Sequence, residues 1–91
     1  MAQIEIKGIV PEGFSGSEFS LRVLESEKIE RFYRDNDIDT GLRYAEGYPI
    51  ISVRGSLASR CIPGTRVVLA LETNVRGGKL GIKNLSIRPC K

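Results

Sequence analysis

Apolar side chains recur at every second position in five separate runs of this chain, and that period constrains its fold more than any other feature. In residues 3–10, Ile4 and Ile6 point one way while Glu5 and Lys7 point the other. Residues 17–25 set Phe19, Leu21 and Val23 against Ser20 and Arg22. Residues 48–57 are apolar and β-branched, and Pro49 confines their start to an edge or strand-opening position. Residues 65–73 alternate Val67, Leu69 and Leu71 against Arg66, Val68 and Ala70. The last run, 79–88, keeps Leu80 and Ile82 in phase but resumes at Leu85 and Ile87. That slip predicts a β-bulge near Lys83 and Asn84, without which half the strand would turn its apolar side to water. Pro63-Gly64 marks a turn and Gly77-Gly78 a hairpin tip. Short strands with little helix imply an all-β fold, a small five-stranded antiparallel OB-like barrel forming one domain over residues 1–91.

Segment 26–46 breaks the pattern. Ile29, Phe32 and Tyr33 have helical spacing behind a capping candidate at Ser26. Read as a strand, neither face is cleanly apolar, which suits a solvated ribbon. The neighbouring strands favour the ribbon, a protruding β-hairpin arm with DNDIDTG as its loop. Counted from Asp35, the carboxylates Asp35, Asp37, Asp39 and Glu46 occupy positions 1, 3, 5 and 12 of an EF-hand loop. Thr40, however, stands where that loop needs glycine, and Gly47-Tyr48-Pro49 forbids the exiting helix. An acidic turn at the tip of the arm is therefore expected, with no metal and no cofactor.

The net charge of +3 is unevenly spread. Residues 1–50 carry six Lys/Arg against ten Asp/Glu, and residues 51–91 carry eight against the single Glu72. A basic half on so small a domain is the footprint of a polyanion binder. Without histidine, and with no Ser-His or Cys-His pair, P-loop or GxGxxG, the chain is not expected to be an enzyme. Cys61 and Cys90 fit no zinc spacing and read as two reduced thiols of a cytoplasmic protein. No apolar run approaches the roughly 20 residues of a membrane span.

A polyanion binder needs a positive groove for phosphates, and one that takes unpaired bases also needs flat side chains for them to stack on. The stacking candidates are Tyr33, Tyr44 and Tyr48. The phosphate candidates are Arg22, Arg31, Arg34, Arg43, Arg54, Arg76 and Lys79, with Lys83 a weaker one. Arg31-Phe32-Tyr33-Arg34 and Arg43-Tyr44 interleave the two kinds. Phe32 suits the core or a dimer contact better than a groove, and Phe14 and Phe19 are assigned to the core.

Tyr48-Pro49 opening an apolar strand, Pro63-Gly64, an alternating strand, a Gly-containing basic loop and the closing LGIKNLSIRPCK together resemble the gene V-type single-stranded-DNA-binding proteins of filamentous phages. IEIK at 4–7 is similar to that family's first strand. The resemblance covers roughly the first ten residues and residues 47–91. It implies a distorted OB-like barrel in a homodimer that coats single-stranded DNA cooperatively during phage DNA replication; some members also bind messenger RNA. It also implies an exposed DNA-facing role for Tyr48. The loop 74–79 departs from the family in having no aromatic residue, which leaves Arg76 and Lys79 for phosphate contact. The alternative is a small β-barrel that binds another protein and no nucleic acid.

Overall fold

The period-two runs become strands that turn one face inward. The computed structural model describes residues 2–14 and 17–90; Lys91, the last residue of the terminal run, lies outside them. The elements are β1 (Gln3–Ile9), β2 (Glu18–Val23), α1 (Ser26–Asp35), β3 (Arg43–Ala45), β4 (Tyr48–Arg54), α2 (Ser56–Ser59), β5 (Arg66–Arg76) and β6 (Lys79–Pro89). All strand pairs are antiparallel, in one barrel-like sheet of order β3-β4-β2-β1-β5-β6. The expected five strands are present as β1, β2, β4, β5 and β6. The three-residue β3 is an addition, and the strand expected over 48–57 stops at Arg54.

Ile6, Phe19, Leu21, Val23, Ile51, Val53, Val67, Leu69 and Leu71 are all buried, one from each alternating inward position. At roughly 1.5–3 kcal/mol per buried aliphatic or aromatic side chain, these residues dominate the folding energy. Phe14 packs against Phe19 with ring centroids 4.8 Å apart. In β6, Ser86 pairs with Ala70 and Asn84 with Leu71, so Leu85 is the extra residue. The bulge therefore falls one position beyond the expected Lys83–Asn84. It keeps Ile82 and Ile87 on the inner face and leaves Leu85 exposed.

The ribbon expected over 26–34 is a helix, and the hairpin arm does not exist. Ile29 and Phe32 are buried in the core, and Tyr33 packs against it. The helical stripe gives these side chains the apolar contact that no strand reading could. α1 starts at Ser26 with no side-chain cap; the Glu25 carboxylate instead accepts a hydrogen bond from the Lys7 amide at 2.8 Å.

β1 is hydrogen-bonded to β5 along its whole length but to β2 only at Gly8 and Ile9. Gly8 thus sits where the sheet coils most tightly. A Cβ there would lie 2.6 Å from Leu21 Cγ and 2.8 Å from the Arg22 carbonyl oxygen. Gly8→Ala should destabilise the fold by about 1–3 kcal/mol in denaturant unfolding. Gly13→Ala, where an added Cβ meets nothing within 4 Å, should leave the midpoint unchanged.

Candidate nucleic-acid interface

The sheet ends on β3 at one edge and on β6 at the other, and the gap between them must be filled or bridged. After α1 the chain crosses that gap as the loop 36–42. The Asp39 amide donates to the Leu80 carbonyl at 2.8 Å, and the Leu80 amide donates back to Asp39 Oδ2 at 2.6 Å. One acidic residue of DNDIDTG therefore acts as a short piece of strand on the free edge of β6. The loop is a clasp rather than the solvated tip of an arm.

Beneath the clasp the gap persists as an open cleft of about 490 Å³. Arg43 and Arg54 enter it from the β4 side, Arg76 and Lys83 from β5 and β6, and Tyr33 from α1. Thr40, Ser52 and Asn84 add neutral polar groups, and Ile50, Ile51 and Ile82 add apolar wall. No carboxylate lines it among the described residues.

Two of these cations are lightly held. Arg54 Nε lies 3.2 Å from Glu18 in an exposed pair, and Lys83 Nζ lies 3.4 Å from Glu72, whose side chain is partly buried. Exposed pairs of this kind are worth about 0–1 kcal/mol, so a phosphate could replace the carboxylate at little cost. Arg43 and Arg76 form no salt bridge with any described residue. Tyr33 is half-buried, and burial pushes its hydroxyl above the ordinary tyrosine range. It stays neutral at physiological pH, able to donate a hydrogen bond and to present part of its ring.

The remaining candidates scatter. Arg31 and Arg34 lie with Glu27 and Glu30 on the outer surface of α1, away from the cleft. The helix corrects their expected place beside a DNA strand, since the ribbon would have carried them into the groove. Tyr44 is on the helix side of β3, where its hydroxyl donates to Glu30 Oε2 at 2.5 Å. That hydrogen bond raises its pKa, and a ring so tethered is poorly placed for the cleft. Lys79 sits opposite Arg76 across the hairpin tip, where Gly77 and Gly78, with φ of 61° and 78°, make the left-handed turn. Tyr48 is exposed on the outer sheet face, and the Arg22 guanidinium lies 5.1 Å from its ring centroid. Arg22 in turn donates to Glu46 at 2.8 Å.

The structure thus brings Tyr33, Arg43, Arg54 and Arg76 together and adds Lys83. It leaves Arg22 and Tyr48 on an adjoining face and sends Arg31, Arg34 and Tyr44 elsewhere. Thr40, Ser52 and Asn84 went unnoticed in the sequence, because neutral polar residues carry no pattern of their own. Only the fold reveals them, through strand register for Ser52 and Asn84 and through the clasp for Thr40.

The four carboxylates at EF-hand spacing also diverge. Asp39 holds Leu80, Glu46 holds Arg22, and Asp35 stands 4.0 Å from Arg34. Among the described residues no three His, Cys, Asp or Glu gather in a metal-holding cluster. The Cys61 thiol donates to the Leu57 carbonyl at 3.3 Å. No described helix is long and apolar enough to cross a membrane. No protein-family model, curated protein or solved structure matches this chain.

Proposed function

We propose that this protein binds single-stranded DNA without regard to sequence, through the cleft between β4 and β6, and performs no chemistry on it. The reading rests on one observation above the others: four cations converge on a cleft without a carboxylate among its described lining residues. Such a surface attracts a polyanion through released counterions and makes no demand on base identity. The apolar wall and the partly open ring of Tyr33 favour unpaired bases over a duplex, whose bases are stacked away inside. The gene V-type likeness extends the proposal to a homodimer that coats the strand cooperatively during phage DNA replication. Messenger RNA is a secondary ligand on the same reading.

Titration with oligo(dT) should show binding at micromolar protein in low salt. If four cations each meet a phosphate, the log–log salt slope should be about −3. Arg43→Gln and Arg76→Gln together should weaken binding about tenfold or more and make that slope shallower by roughly 1.4. Absence of binding to oligo(dT) and oligo(rU) at low salt would overturn the proposal. A partner captured equally well at high salt and after nuclease treatment would favour a protein-binding module instead.

The homodimer has its own check. Sedimentation of the free protein should give twice the 10.1 kDa of one chain; a monomer at every concentration would contradict it.

A further inference from the structure

Strand register lines up one more feature on the outer face of the sheet. Arg43 pairs with Ile50, Ile50 with Arg22, Arg22 with Ile9, and Ile9 with Arg66. Paired residues in a sheet share a face, so these five side chains form a single row across β3, β4, β2, β1 and β5. Strands about 4.8 Å apart make the row roughly 19 Å long, with an arginine on every second strand. The three arginines are exposed, and the two isoleucines between them are half-buried. Arg43 and Ile50 belong also to the cleft wall, and Ile50 continues into a second groove lined by Ile9, Arg22, Ala45 and Arg66. The row therefore begins where the cleft ends.

Two carboxylates face this second groove, Glu12 and Glu46. Glu46 is the informative one. It occupies the first loop position of the β3–β4 hairpin with φ of 52°, ahead of Gly47 at 83°. That left-handed position favours Asn, Asp or Gly, so glutamate is a poor choice for the turn alone. Its carboxylate holds Arg22, and Arg22 covers the face of Tyr48. In the free protein one cation of the row, Arg22, is thus occupied by Glu46 and by the neighbouring ring of Tyr48.

We propose that a single strand leaving the cleft continues along this row, with Arg22 and Arg66 as further phosphate contacts, and that Glu46 competes with the strand for Arg22. The inference rests on the single-strand binding proposed above. Alternating cations and apolar side chains match a ligand whose charged groups alternate with flat hydrophobic ones, and a bare polyphosphate would have no use for the isoleucines. As a phosphate takes Arg22 from Glu46, the ring of Tyr48 becomes free to stack on a base.

The test compares labelled oligo(dT) of about 4 and about 16 nucleotides by fluorescence anisotropy, lengths that bracket the sites of small OB-type domains. Arg66→Gln should weaken the longer oligonucleotide about fivefold and make its salt slope shallower by roughly 0.7, with the shorter one unaffected. Glu46→Asn suits the turn, so the fold is retained, and it should tighten binding of the longer oligonucleotide. The row is overturned if Arg66→Gln binds the longer oligonucleotide as the unmodified protein does while Arg43→Gln is impaired. The competition is overturned if Glu46→Asn binds no tighter. If the unmodified protein binds neither length, single-strand binding itself fails and the row falls with it.

Discussion

The reciprocal hydrogen bonds between Asp39 and Leu80 hold the two open edges of the sheet in relation to each other. The edge strands β3 and β6 do not pair, so without a bridge the barrel would have two free edges and no defined gap between them. The clasp fixes the width of that gap at one end, and α1, anchored by Ile29 and Phe32 in the core, brings Tyr33 to it. What is left between is a cleft with one wall from the middle of the chain and the other from its last two strands. Arg43 and Arg54 come from one side and Arg76 and Lys83 from the other. Like charges brought together in this way raise the local potential without a compensating contact among themselves, which suits a surface waiting for an anion.

Much of the fold was legible because sheet burial obeys a period of two. Val67, Leu69 and Leu71 could face nowhere but inward once Arg66 faced out, and the phase slip in β6 announced a bulge. The bulge came at Leu85 rather than Lys83–Asn84, because the slip tells that a residue is extra but not which one the partner strand skips. α1 was misjudged for a related reason. Its stripe of Ile29, Phe32 and Tyr33 is only three residues wide in a charged segment, so local pattern left helix and ribbon open. The decision came from the core, which needed those three side chains to cover its open side, and that need is invisible in a single segment.

The site was legible in kind more than in place. Basic residues gathered in the second half of the chain, and Arg54, Arg76 and Lys83 do meet in the cleft. Arg31 and Arg34 lie apart from it, because the helix sets both with Glu27 and Glu30 on its exposed outer surface. Arg66 in sequence is just the polar partner of Val67, and its place in the proposed row is invisible there. That place comes from four strand registers in succession, and no local reading contains those. The acidic run shows the same lesson from the other side. Its spacing imitated a calcium loop, yet Asp39 and Glu46 use their carboxylates to fasten β6 and Arg22.

Residue-resolved NMR during an oligo(dT) titration tests the cleft most directly. The account predicts that the amides of Thr40, Ser52, Ile82 and Asn84 shift together and earliest as DNA is added. Shifts confined to the outer surface of α1 around Glu27, Glu30, Arg31 and Arg34, with the cleft amides unmoved, would contradict it.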